Sequence, residues 1–183
     1  MGSKISVSVD PICWVLMAFW LVLIPLPWLC AVLVSVAVHE CSHWLMVKLT
    51  GGTLHGIHIR PTGVLMDTGM MDQGKEWICA LAGPVGELTL LLLANVFPRT
   101  AICALFHGIF NLMPLYPLDG GRVVCALCGF PVGRKIGDVF CFLCVLGAIY
   151  LGWRWNRMDL GLIFAGTMLI QRRYGKIPCK DGQ

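Results

Sequence analysis

The sequence predicts an all-α polytopic membrane protein with about six transmembrane helices and a small membrane-associated β-hairpin after the second helix. Hydrophobic residues make up 57% of the 183 positions and charged residues only 13%, which is about half the charged share of a soluble domain. The apolar residues form long runs separated by prolines or short polar stretches, as successive bilayer crossings require. We expect one membrane-embedded domain over residues 1–183, without an appended regulatory domain.

The first apolar run covers residues 11–49 and carries only Glu40 and Lys48 as formal charges. As one helix rising about 1.5 Å per residue, the run would be about 58 Å long, twice the thickness of a bilayer core. Because proline disrupts a helix from within, the run is predicted to fold back at Pro25 and Pro27. The first two predicted spans are therefore about 11–25 and 28–49.

A more polar region, residues 51–76, follows the second span. Two short β-prone runs, 54–59 and 64–66, flank the turn signal Arg60-Pro61-Thr62-Gly63. We interpret this region as a hairpin at the membrane surface. A plain connector is the alternative.

The remaining apolar runs predict four more spans, at about 77–97, 100–116, 137–152 and 158–170. The third span contains a second intramembrane acid, Glu87. We expect it to hydrogen-bond a neighbouring helix or to lie near an aqueous interface, and a role beside the metal site is the alternative. The fourth span ends at Pro114 and Pro117, which unwind the helix. Irregular backbone at membrane depth is tolerated only against protein or a wet cavity, and Asp119 lies in this broken segment.

The distribution of positive charge predicts the topology. With a cytoplasmic N-terminus and six spans, 3 of the 14 Lys and Arg residues lie outside, namely Arg99, Arg154 and Arg157. This asymmetry obeys the positive-inside rule and places both termini in the cytoplasm. We interpret the net charge of +4 as a result of topology and expect no nucleic-acid partner. The same topology brings Asp119 to the depth of His39 and His43, toward the cytoplasmic side.

The pattern His39-Glu40-Cys41-Ser42-His43 lies inside the second span. A charged side chain at the bilayer centre costs about 2.5–3.5 kcal/mol on insertion scales, so such a cluster indicates a ligand. Residues four apart share one face of a helix, and H-E-x-x-H is the pattern of zinc proteases, with two imidazole ligands and a general base.

Catalytic zinc sites usually have three protein ligands and one open position. His39, His43 and Asp119 are predicted to bind one Zn²⁺ per chain. Glu40 is predicted to take a proton from the attacking water and to deliver it to the leaving amine. Asn111 is the best candidate for a polar donor to the developing oxyanion.

Other potential ligands are interpreted as structural. Cys125, Cys128, Cys141 and Cys144 have a spacing similar to that of a zinc ribbon, but the second pair lies among Phe140, Phe142 and Leu143 in an apolar span. His55 and His58 are expected on the surface of the hairpin. His107 is expected to be packed or hydrogen-bonded, with a role in the site as the alternative.

Several motifs together resemble the site-2 protease family of intramembrane zinc metalloproteases. They are His39-Glu40-x-x-His43, Ala82-Gly83-Pro84, and the segment from Asn111 through Pro114 and Pro117 to Asp119-Gly120. Because its spans carry no appended domain, the chain looks most like the compact bacterial branch of the family, which matures sporulation sigma factors. One departure is that many members continue Ala-Gly-Pro-x-x with Asn, where this chain has Glu87.

The resemblance implies an endopeptidase that cleaves transmembrane or membrane-tethered proteins within or near the lipid bilayer, in a multi-pass protein of a bacterial cell membrane. A regulatory membrane protein is an expected partner. The resemblance also implies that the hairpin is a sheet near the active site, where an extended substrate binds by strand addition. The predicted substrate contacts are Leu54, Ile57, Ile59, Val64 and Pro117.

Two other functions remain open at this stage. A catalytically silent protein of the same fold would only capture membrane helices. A small transporter would relay ions through Glu87 and Asp119, although no inverted repeat is evident in the sequence.

Overall fold

A computed structural model describes residues 6–60, 63–69 and 73–174. The described residues are mostly helical, with one small sheet, as the sequence predicted. The chain divides into two compact units, Met1–Asn111 and Leu112–Gln183. The expectation of a single domain stays a prediction.

The first unit begins with two helices, α1 (Pro11–Leu23) and α2 (Leu26–Leu49). The predicted break between them is confirmed, because Ile24 ends α1 in an extended conformation and Pro25 caps the start of α2. The Asp10 side chain accepts a hydrogen bond from the backbone N–H of Ile12 at 3.0 Å, which caps the start of α1. No residue of α1 is buried, as expected of a helix that faces lipid.

The predicted hairpin is confirmed as strands β2 (Leu54–Arg60) and β3 (Gly63–Thr68), which pair antiparallel. A third strand, β1 (Ser6–Val9), pairs parallel with β2 and was not predicted. The strand order β1-β2-β3 places β2 in the middle of the sheet. Strand addition needs a free edge, so β2 offers no edge to a substrate while β1 is paired with it.

Two further helices complete the first unit. Helix α3 (Glu76–Leu88) continues into the 3₁₀ turn Thr89–Leu93, and α4 (Pro98–Asn111) follows. Helix α2 packs against both α3 and α4, and α3 also packs against α4. The polar side chains of these three apolar helices can therefore meet one another inside the unit.

The second unit contains α5 (Asp119–Cys128), α6 (Phe130–Arg154) and α7 (Met158–Tyr174). One prediction was wrong here. Asp119 was expected in irregular backbone but is the first residue of α5. Helix α6 begins at Phe130, before the predicted start of the fifth span near residue 137, and a proline in the first turn does not interrupt a helix. Which part of α6 crosses the membrane stays a prediction.

Three of the described helices are long and apolar enough to cross a membrane, at Leu26–Leu49, Glu76–Leu93 and Phe130–Arg154. The apolar helices Pro11–Leu23 and Met158–Ile170 are shorter. Helix α4 has 14 residues and is about 21 Å long. These helices support a membrane protein, while the count of six spans stays a prediction.

Candidate metal centre

The two histidines of the motif lie on the buried face of α2. Ser35, His39, His43 and Val47 are all buried and are four residues apart, the spacing that keeps side chains on one face of a helix. The rings of His39 and His43 meet edge to face with centroids 4.7 Å apart. Their Nε2 atoms are 3.1 Å apart, so both histidines present the same nitrogen to one point.

A hydrogen bond at Nδ1 fixes the tautomer of each ring. His43 Nδ1 lies 2.7 Å from the carbonyl oxygen of Cys79, and His39 Nδ1 lies 2.9 Å from Glu87 Oε2. A carbonyl and a carboxylate only accept hydrogen bonds, so each Nδ1 carries the proton and each Nε2 is left with a lone pair. Both acceptors belong to α3, which therefore orients both rings of α2.

This arrangement fits a zinc ion. Two facing nitrogen lone pairs at 3.1 Å repel each other, and a cation bound to both removes this repulsion. Zn–N bonds of about 2.0–2.1 Å at a tetrahedral angle place two ligand nitrogens about 3.3 Å apart. The observed separation is close to that value.

Glycines in α3 allow the close approach of the two helices. A Cβ atom on Gly83 would collide with the His43 ring, and one on Gly86 would collide with the Ser42 hydroxyl. A carbon atom in either position leaves no room for the α2 side chain. The Ala-Gly-Pro motif therefore has a steric reason, because Gly83 makes the space that His43 occupies.

A buried acid lies directly behind His39. Glu87 is fully buried and accepts hydrogen bonds from Ser35 Oγ and from His39 Nδ1. His107 Nδ1 on α4 lies 2.8 and 2.9 Å from the two carboxylate oxygens of Glu87. The rings of His39 and His107 meet edge to face at 5.0 Å. The structure thus favours a place beside the candidate metal ligands for Glu87.

Comparison with known proteins identifies the fold. No protein-family model matches the chain. The chain is similar to the zinc metalloprotease MJ0392 of Methanocaldococcus jannaschii, with 28% identity over 123 residues, which cover 60% of this chain and 35% of that protein. The solved Site-2 protease from the same organism superposes with a TM-score of 0.68 at 18% identity, covering 100% of this chain and 97% of the solved one.

The chain has the site-2 protease fold. The resemblance predicted from the sequence motifs is confirmed, and part of the chain is similar in sequence to a zinc metalloprotease. It spans about a third of the length of the curated relative, at 35%. Both similar proteins come from Methanocaldococcus jannaschii, and the narrower assignment to the compact bacterial branch stays a prediction.

The other predicted site residues have the following places in the site-2 protease fold. Glu40 is half-buried on α2 next to His39. Asn111 ends α4, and its Nδ2 atom lies 3.0 Å from Nε2 and 3.2 Å from the backbone oxygen of His107. In the second unit Asp119 is buried, with an oxygen 3.6 Å from Arg122 Nη1.

No cluster of Cys125, Cys128, Cys141 and Cys144 that could hold a metal occurs in the described residues.

The predicted substrate contacts lie on or near the sheet and in the turn before α5. Leu54, Ile57 and Ile59 belong to β2, Val64 belongs to β3, and Pro117 precedes α5. The histidines of the sheet are engaged locally. His55 Nε2 lies 3.1 Å from Thr53 Oγ1, and His58 Nδ1 lies 2.5 Å from Ser8 Oγ.

Sequence reasoning missed the connection from His39 through Glu87 to His107. One signal was present, because a buried acid in an apolar helix needs partners. The identity of the partners depends on how α2, α3 and α4 pack, and helical periodicity within one segment does not contain that information.

Proposed function

We propose that the chain is an intramembrane zinc endopeptidase that hydrolyses peptide bonds of transmembrane or membrane-tethered proteins. The observation that carries this proposal is the pair of Nε2 atoms 3.1 Å apart, each on a ring whose Nδ1 is held by an acceptor of α3. The relation to membrane zinc proteases supports the same reading.

In this proposal His39, His43 and Asp119 hold one Zn²⁺ per chain. Two neutral imidazoles and a carboxylate are a donor set that zinc accepts in catalytic sites, with a fourth position left open. The ion supplies Lewis acidity, which acidifies a water molecule and polarises a scissile carbonyl. Asp119 is buried, with one carboxylate oxygen 3.6 Å from Arg122 Nη1.

Glu40 is the proposed general base. It accepts the proton of the attacking water and then delivers that proton to the nitrogen of the leaving amine, so that no net charge accumulates on the protein. Asn111 is the proposed donor to the oxyanion. Its amide nitrogen now lies within hydrogen-bond distance of two atoms of His107, and contact with a substrate would require it to give up one of these bonds.

The substrate is proposed to bind in an extended conformation against the sheet. Because β2 is paired on both sides, the outer edge of β3 is the proposed place for strand addition. Val64 lies on β3 itself, whereas Leu54, Ile57 and Ile59 lie on the central strand β2, so a contact with these three would have to be made by side chains across the face of the sheet. With Pro117 they are the proposed contacts. The lipid bilayer and a regulatory membrane protein are the other proposed partners, with both termini and the site toward the cytoplasm of a bacterial cell.

The variant Glu40→Gln tests the proposed chemistry. Loss of a general base lowers the rate by about 10²–10⁴-fold, and the amide keeps the size of the side chain. We therefore expect cleavage of a co-expressed tethered substrate to be lost while zinc content per chain is retained. Both are measured on the full chain in membranes, by immunoblot and by metal analysis.

Glu76→Gln is the matched control. Glu76 is exposed at the start of α3, and the same change of charge there should leave cleavage intact. Normal cleavage by Glu40→Gln would remove Glu40 from the role of base. Capture of substrate by the wild-type chain without any product would favour a silent helix-binding protein.

A further inference from the structure

The buried carboxylate of Glu87 connects three helices. It accepts hydrogen bonds from Ser35 and His39 on α2 and from His107 on α4, and none of its surface is exposed. An ionised carboxylate has about four lone-pair positions and no proton to donate. Three donors converge on it from two directions, so its orientation is determined by its neighbours.

The direction of each hydrogen bond follows from the chemistry of the groups. The amide nitrogen of Asn111 can only donate, and it lies 3.0 Å from His107 Nε2, so that atom is the acceptor. His107 therefore carries its proton on Nδ1, which points at Glu87. His39 has the same tautomer for the same reason. The result is one continuous series of hydrogen bonds, in the order His39, Glu87, His107 and Asn111.

We propose that Glu87 is a positioning residue that holds the zinc ligand His39 and the oxyanion donor Asn111 in one hydrogen-bonded network. This inference rests on the proposed function for the role of Asn111, whereas its effect on His39 concerns metal binding alone. A carboxylate on the Nδ1–H of a ligating histidine fixes the ring and makes the other nitrogen a better ligand. His107 donates to Glu87 from Nδ1 and accepts from the Asn111 amide at Nε2, and so orients that amide.

The chemistry of Glu87 explains why an amide at this position would not do the same. Glutamate presents two acceptor oxygens. Oε2 lies 2.9 Å from Nδ1 of His39 and 2.9 Å from Nδ1 of His107, and Oε1 lies 2.8 Å from Nδ1 of His107. An amide has one acceptor oxygen and turns an N–H group toward one of the two Nδ1–H donors. Two donors then face each other in a buried site, and one histidine must rotate or change its tautomer.

The first test measures zinc affinity by competition with a chelator on the purified full chain. Glu87→Gln is expected to weaken zinc binding about 10–100-fold, the usual effect of losing such a partner of a ligating histidine. Glu76→Gln, the same change at an exposed position of the same helix, should leave the affinity unchanged. An affinity of Glu87→Gln within about twofold of the wild type would overturn the proposal.

The second test separates the link from Glu87 to His39 from the link through His107 to Asn111, and its kcat readout does not depend on whether Glu87→Gln folds. His107→Phe keeps a ring at that place and leaves the pair of His39 and Glu87 intact. We expect its zinc affinity to fall less than that of Glu87→Gln, while kcat for a tethered substrate falls and KM stays unchanged. An unaltered kcat of His107→Phe would contradict the proposed connection from Glu87 through His107 to Asn111.

Zinc stoichiometry separates positioning from direct metal binding. His39, Glu87 and His107 offer ligand atoms within 4.8 Å of one another, so a second ion bound there is the competing explanation. Two ions per wild-type chain that drop to one in Glu87→Gln would overturn the positioning role, and one ion per chain supports it. A wild-type chain that binds zinc without cleaving anything would refute the proposed function and leave the affinity test valid.

Discussion

The chemistry of the candidate metal centre depends on which nitrogen of each histidine carries the proton. The backbone oxygen of Cys79 and the carboxylate of Glu87 each accept from an Nδ1–H, and both Nε2 lone pairs are thereby directed to one point. Loss of either acceptor would allow the imidazole ring that it holds to flip. The selection of the tautomer is therefore a property of α3, although both rings belong to α2.

At the scale of single residues, Gly83 gives a steric prediction. Gly83→Ala introduces a Cβ into the His43 ring, and overpacking of this kind costs about 1–3 kcal/mol. We expect lower thermal stability and weaker zinc retention, measured by unfolding in detergent and by metal analysis.

The control for this change is Gly147→Ala in α6. A Cβ at Gly147 meets no atom within 4 Å, and Gly→Ala at a compatible helical position stabilises by about 0.4–1 kcal/mol. Equal behaviour of the two alanine variants would show that the contact between Gly83 and His43 has no energetic consequence.

Asp119 gives a second prediction at this scale. If Asp119 is the third ligand, Asp119→Asn replaces a charged oxygen donor by a weak neutral one and should reduce the zinc retained after dialysis. Asp67→Asn, on the exposed face of β3, is the control and should retain zinc. Unchanged metal content in Asp119→Asn would remove Asp119 from the ligand set.

The residues of the site differ in how far the sequence predicts them. His39 and His43 follow from spacing alone, because i and i+4 always share a face of a helix. The neighbours of Glu87 depend on the register between helices, and the steric fit of Gly83 to His43 sets that register. Sequence reasoning therefore finds the candidate ligands of α2 and misses the partners that orient them.

At the scale of elements, the sheet holds the start of α1. The backbone N–H of Asp10 donates to the oxygen of Ile59 at 2.9 Å, and Cys13 Sγ lies 3.6 Å from the same oxygen. Helix α1 itself has no buried residue, so much of its attachment comes from β1 and these contacts. The Ser-Val alternation of β1 was not interpreted as a strand, because its partner β2 is about 50 residues further along the chain.

The pairing of β1 gives a prediction for this element. Since Asp10 donates to β2, the alternation along a strand directs the N–H of Ser8 to β2 and that of Val7 away from it. Ser8→Pro should detach β1 and speed amide hydrogen exchange in β2, because proline has no N–H to donate. Val7→Pro is the matched control and should preserve protection of β2. Equal exchange in both variants would argue against the parallel pairing.

At the scale of the whole molecule, the surface is that of a protein in lipid. Large apolar side chains are exposed on long and short helices alike, among them Val22, Leu92, Phe106 and Trp153. Soluble proteins rarely expose continuous apolar surface to this extent. Composition alone predicted this property, because it depends on how many apolar residues there are and not on which of them meet.

The number of membrane crossings distinguishes two topologies that the same helices allow. If only the three long helices cross, the two ends of the chain lie on opposite sides of the membrane. If α1, α4 and α7 cross as well, both ends lie on the same side, in the cytoplasm by the positive-inside rule. Short helices can cross where the bilayer thins locally, at a cost of a fraction of a kcal/mol per Å of mismatch.

Epitope tags at the two ends of the full chain, probed in intact and in permeabilised cells, distinguish these topologies. We expect both tags to be protected in intact cells and a third tag, between α6 and α7 beside Arg157, to be accessible from outside. Permeabilisation should expose all three tags, which controls for tags buried in the protein. One end accessible in intact cells would require an odd number of crossings, and the cytoplasmic placement of the metal centre, which is based on six, would have to be abandoned with it.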